Sequence, residues 1–145
     1  MREIADQLAG VVEQSARRLR ELSDQEASGP ALAGGWSRKQ VIGHLIDSAS
    51  NNHQRWVRAA LAGDLVWPGY DQNGCVSVQA FQEAPWPMLL DVWESFNRLL
   101  VHVLAHLPAE SADASCRIGE HAPVPLDQLA RQYVEHMRHH LDQVV

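Results

Sequence analysis

Apolar positions along this chain recur at helical intervals. Ile4, Leu8, Val11, Leu19 and Leu22 share one face before the run SGPALAGG breaks the pattern with proline and glycine, so a first helix is predicted to end in the twenties. In WSRKQ, Ser37 and Gln40 have the spacing of a capping box, and Ile42, Ile46, Ala49, Trp56 and Ala60 then carry a second helix to about Leu61. Pro85 and Pro87 precede a third stripe, Leu89, Trp93, Phe96, Leu100, Val103 and Leu107, whose steps alternate between four and three as a bundle seam requires. HLP closes that helix. Pro125 suits the first turn of a fourth, with Leu126, Leu129 and Tyr133 facing inward. Four helices and no segment that reads as a strand predict an all-α fold, a four-helix bundle.

The connection over residues 63–84, GDLVWPGYDQNGCVSVQAFQEA, is too long for a tight turn between antiparallel neighbours. Connections of that length in compact domains cross over or carry function. A short helical turn is expected around VSVQAFQ.

Extending the fourth stripe by the same three-and-four alternation places His136 and His140 in core-facing slots, whereas His139 falls with Gln132, Glu135 and Asp142 on a solvated face. The i, i+4 spacing stacks the two imidazoles on one side of the helix, roughly 6 Å apart along its axis, close enough for one ion to take a nitrogen from each. A third ligand has to come from elsewhere. On the second helix His44 lies in a strip of Val41, His44, Ser48, Asn51 and Arg55 beside the apolar seam, which is how a cavity wall reads. Topology decides whether the three can meet. In an up-down-up-down bundle the second and fourth helices run parallel, and His44, near a helix start, is separated from a pair near a helix end. If the long connection crosses over, the topology becomes up-down-down-up, and the start of the second helix meets the end of the fourth. That one arrangement accounts for both the long loop and the histidines. The plainer alternative is that the three rings are seam residues bonded to Tyr133, Ser48 or water.

Composition narrows the setting. The chain of 145 residues is 46% hydrophobic with no compositional break, consistent with one domain over 1–145. A net charge of −6, with twelve scattered Lys and Arg, argues against nucleic acid as a partner. No apolar run approaches the roughly 20 residues a membrane span requires, and the charged N-terminus has no signal-peptide character. Cys75 and Cys116 are far apart and form no Cys-x-x-Cys motif, which suits a reducing cytoplasm.

The segments GHLIDS and NH..R on the second helix, YDQN opening the long loop, LP closing the third helix and EHMRHHLDQV on the last together resemble the DinB-like, or YfiT-like, four-helix bundle superfamily, from about Trp36 to Val144. The resemblance implies the crossed topology, a homodimer, and a divalent metal held by His44, His136 and His140, zinc or nickel being the expected ion. It also implies a thiol-dependent S-transferase that joins a low-molecular-weight thiol to a small-molecule electrophile. The alternatives are a metal-dependent hydrolase, or a non-catalytic metal-binding or stress-response module.

The remaining candidates carry two readings each. Tyr70 and Asp71, with Gln72 and Asn73, either orient substrate as catalytic residues or form a turn whose polar groups cap nearby backbone. Asp47, one turn after His44, either orients an imidazole or is a solvated carboxylate. Cys75 either approaches the ion or is a small buried residue. Trp36, Trp67 and Trp86 stand next to loops, where they could line a pocket or a dimer seam. His102 and His106, though also at i, i+4, flank their seam and are expected to be exposed. His53 is expected to pack beside Trp56.

Overall fold

The computed structural model describes residues 1–32 and 35–145, so Ala33 and Gly34 of the predicted breaker lie outside the described residues. Four long helices carry the fold: α1 (Arg2–Arg20), α3 (Arg38–Ala62), α5 (Trp86–His106) and α6 (Leu126–Leu141). Two shorter ones, α2 (Asp24–Ser28) and α4 (Gln72–Val78), sit in the connections. The core includes Ile4 and Leu8 of α1, Ile42 and Trp56 of α3, Trp93 and Leu100 of α5, and Leu126 and Met137 of α6. No helix among the described residues is long and apolar enough to cross a membrane.

Side-chain contacts give the sense of each helix pair. His44 meets His136 and His140 while Trp56, further along α3, meets Tyr133, earlier on α6, so α3 and α6 run in opposite senses. Glu3 pairs with Arg131, and the later part of α1 lies against Arg138 and Leu141, so α1 and α6 run the same way. Arg20 at the end of α1 bonds Asp91 and Glu94 near the start of α5, and Val12 lies beside Val101, which makes that pair antiparallel.

The expectation of no strands is overturned. A small sheet joins β1 (Asp64–Trp67), β2 (Ser115–Ile118) and β3 (Val124–Pro125), with β1 parallel to β2 and β2 antiparallel to β3. The strands are only two to four residues long, too short to show alternation, and β1 finds its partner remotely, Asp64 opposite Ser115. The sheet ties the long α3–α5 connection to the α5–α6 connection. The predicted turn in the former is present as α4 and a 3₁₀ turn over Phe81–Glu83.

The start of α3 is fixed firmly. The predicted capping box forms, Ser37 Oγ accepting from the Gln40 amide and Gln40 Oε1 accepting from the Ser37 amide at 2.9 Å. Arg38 donates to the carbonyls of Pro30 at 2.8 Å and Val144 at 3.0 Å, and the Leu32 amide donates to the Gln143 carbonyl at 2.7 Å. These bonds hold the start of α3 level with the end of α6. Gly43 permits a further contact, because a methyl group there would overlap the ring of the buried Phe81. Alanine ordinarily stabilises a helix interior by about 1 kcal/mol relative to glycine, but steric overlap outweighs that here. Gly43→Ala is expected to lower stability by roughly 1–3 kcal/mol, read as a lower denaturation midpoint.

Candidate metal centre

His44 is 0% exposed, the second helical turn having carried it past the cap into the seam, and it faces the last two turns of α6. Its Nε2 lies 3.1 Å from Nε2 of His136. The ring centroids are 4.8 Å apart for His44 and His140, and 4.6 Å for His136 and His140. One ligating nitrogen from each of the three falls within 4.8 Å of the others. The three residues singled out from the stripes are therefore brought together.

Electrostatics keep these rings neutral. Burial, reinforced by the two facing imidazoles, pushes His44 down to about 3. Burial, then His140 and His139, pushes His136 down to about 4. Burial also lowers His140, against the opposing effect of its bond to Gln143. A neutral imidazole offers a lone pair, which a cation can use and a protonated ring cannot. Two nitrogens of a tetrahedral ion with Zn–N of about 2.0–2.1 Å lie roughly 3.3 Å apart, so the 3.1 Å separation of His44 and His136 is close to what shared coordination requires, as well as within reach of a hydrogen bond between the two rings.

The surroundings favour the same role. Nδ1 of His140 donates to Oε1 of Gln143 at 3.2 Å, which leaves its Nε2 as the free lone pair. Gln143 in turn contacts Nε2 of His139 at 3.0 Å, and Trp36 packs its ring 5.0 Å from that of His44. Neither Gln143 nor the Trp36 contact follows from helical periodicity, since both residues lie outside the regular helices. Asp47 has a different partner from the one considered for it: its carboxylate accepts from Gln79 at 2.9 Å, while Nδ1 of His44 is buried without a partner among the described residues.

A cleft of about 560 Å³ opens beside the cluster, lined by His136, Ser48, Asn52, Arg55, Tyr70 and Tyr133 among others. The polar strip of the second predicted helix is thus part of its wall, with Asn52 in place of Asn51. Tyr70 is half-buried, and burial together with the nearby Asp47 raises its phenol to about 12, so it enters the cleft as a hydrogen-bond donor. Asp71 is exposed and caps α4, accepting from the Gly74 amide at 3.0 Å. Tyr133, whose phenol burial raises further, donates to Oδ1 of the fully buried Asn97 at 2.5 Å. Tyr133→Phe would leave that oxygen unpaired, and a loss of roughly 1–3 kcal/mol is expected in chemical denaturation.

The other candidates lie apart from the cluster. Cys75 is half-buried on α4. His102 and His106 are exposed and stack on each other, and His53 packs edge-on against Phe96. Trp67 lies under the guanidinium of Arg58, and Trp86 is buried, its indole N–H donating to the Leu19 carbonyl.

Residues 7–144 match the model of the DinB superfamily. A "Putative metal-dependent hydrolase" of Bacillus pumilus (strain SAFR-032) is 31% identical over 137 residues, covering 94% of this chain and 78% of the relative. One of the same name from Bacillus cereus (strain 03BB102) is 23% identical over 124 residues, covering 86% and 71%. Among solved structures, YfiT from Bacillus subtilis, described as a probable metal-dependent hydrolase with an unusual four-helix bundle topology, has a TM-score of 0.76 at 21% identity, covering 97% of this chain and 83% of that one. A mycothiol-dependent maleylpyruvate isomerase has a TM-score of 0.84 at 13% identity; 98% of this chain spans 59% of that longer one. These two likenesses concern the fold. With the family match running through α3 and α6 and all three histidines between its limits, the chain belongs to the DinB superfamily.

Proposed function

We propose that His44, His136 and His140 hold a divalent metal ion, zinc or nickel, and that the chain is a metal-dependent enzyme acting on a small molecule in the adjoining cleft. The observation that carries this reading is the convergence of three neutral imidazoles, their nitrogens within 4.8 Å of one another, at the edge of a polar cavity. Three protein ligands leave a position open, the pattern of catalytic rather than structural sites. An ion held there lowers the pKa of a thiol or water that binds it, which makes a nucleophile available at neutral pH.

The protein's own groups do the positioning. Gln143 sets the tautomer of His140, and burial keeps all three rings unprotonated. Tyr70 donates a hydrogen bond to substrate. Asp71 acts by capping α4, which fixes the segment that carries Tyr70. The favoured reaction is transfer of a low-molecular-weight thiol to an electrophile, because a thiol gives up its single proton on binding and then needs no further base. Glu120, the carboxylate among the cleft residues, is exposed. Metal-dependent hydrolysis is the second reading, favoured by the names of the Bacillus relatives. The homodimer implied by the family resemblance has a candidate face in the exposed Met88, Val92 and Leu99 of α5.

The test is turnover by metal-loaded protein with candidate thiols and monochlorobimane. Metal-dependent conjugation that disappears in His44→Ala is the expected result. Thiol-independent cleavage of an ester or amide panel would replace the first reaction by the second, and no metal-dependent turnover in either assay would overturn both.

A further inference from the structure

The cleft wall contains a buried cation with no counter-ion among the described residues. Arg55 on α3 is 8% exposed, its Nε makes no hydrogen bond, and it belongs to none of the ion pairs among the described residues. Lys39 provides the contrast. Also buried, at 4% exposed, it is neutralised by Asp24 at 2.9 Å. A guanidinium cannot escape its charge by deprotonating, so burying it unpaired is costly unless a ligand brings the opposite charge. Tyr70 is the group close enough to favour its charge, and as a protonated phenol it supplies none of its own. Glu120 lines the same cleft but is exposed and does not pair with Arg55.

We infer that Arg55 binds the carboxylate of a ligand that occupies this cleft, with the rest of the ligand lying toward the histidine cluster. The planar fork of a guanidinium fits a carboxylate through two parallel bonds. A single fixed cation, flanked by Asn52, Tyr70 and Gln132 and sharing the cleft with the exposed Glu120, matches one negative charge better than the two of a phosphate. His136 lines the same cavity, so a molecule anchored at Arg55 would present its other end to the cluster. The substrate class is therefore a small carboxylic acid, the carboxylate being carried by the electrophile or by the thiol. This deepens the proposed function by restricting its substrates.

The test uses the full chain without metal, labelled with ¹⁵N and titrated with succinate, inorganic phosphate and uncharged 1,4-butanediol. Saturable movement of the Arg55 Nε–H resonance by succinate and not by butanediol is expected, with phosphate about tenfold weaker. Arg55→Gln should weaken succinate binding at least about tenfold, and Arg55→Lys should fall between. A stationary Nε–H resonance, equal affinity for phosphate, or unchanged succinate binding by Arg55→Gln would overturn the assignment. The wild-type resonance decides the matter even if the Gln variant does not fold. Comparing 3-mercaptopropionate with 2-mercaptoethanol as thiols in the turnover assay then shows which reactant carries the acid. Because the titration is metal-free, succinate binding without any turnover would sink the proposed reaction alone, whereas turnover indifferent to Arg55→Gln would sink this inference alone.

Discussion

His44→Ala is expected to weaken divalent-metal binding by at least about 100-fold, roughly 2.7 kcal/mol, while leaving the helical fold in place. Perturbing groups that merely orient a ligand already costs 10–100-fold, and here a ligand itself is removed. The helices should survive because the apolar core that joins them does not depend on this ring, although truncating a fully buried side chain costs some stability. Metal content of the purified protein, measured alongside far-UV circular dichroism, separates the two effects. A variant that keeps its metal would remove α3 from the site.

Acid is expected to destabilise the metal-free protein well above the carboxylate range. His44 and His136 are held at about 3 and about 4, against 6.5 for an unhindered ring, so the unfolded chain takes up protons that the folded one refuses. The sign follows from linkage: stability is constant above about pH 6.5 and falls as the pH drops below it, levelling off only where the folded rings themselves titrate, near pH 3–4. At pH 5 each ring would contribute about 2 kcal/mol if fully shielded. Screening by water on the cleft side reduces this to roughly 1–2 kcal/mol each. Urea denaturation at pH 7.5 and pH 5 should show the difference, diminished in His44→Ala. Bound metal should add stability at pH 7.5 and add less at pH 5, since protons and the ion compete for the same lone pairs.

Much of the candidate site was legible because helical periodicity fixes where side chains point. His136 and His140 continue the spacing of Leu126, Leu129 and Tyr133, and all but the two histidines of that set are buried apolar or aromatic side chains. The strip of Val41, His44, Ser48 and Arg55 marks the facing wall for the same reason. What was not legible depends on contacts that periodicity cannot encode. Gln143 reaches His140 only because the chain turns after α6, and Trp36 reaches His44 from the residue before the Ser37 cap. The pairing of Asp64 with Ser115 joins two connections far apart in sequence, so β1 could not be recognised from its own connection, and β3 is only two residues long. Asp47 had the right position for orienting His44, one turn away, yet Gln79 on the other side of the α3–α4 contact takes its carboxylate instead. Arg55 was visible as part of the polar strip, but its lack of a counter-ion among the described residues emerges only once the neighbouring elements are in place.

X-ray absorption on the zinc- or nickel-loaded protein tests the central claim most directly. The account predicts one equivalent of metal with about three imidazole nitrogens near 2.0–2.1 Å and oxygen donors from solvent completing the shell. It also predicts that the count falls when His44, His136 or His140 is replaced. Absence of stoichiometric binding, or a shell that is unchanged in all three variants, would contradict it.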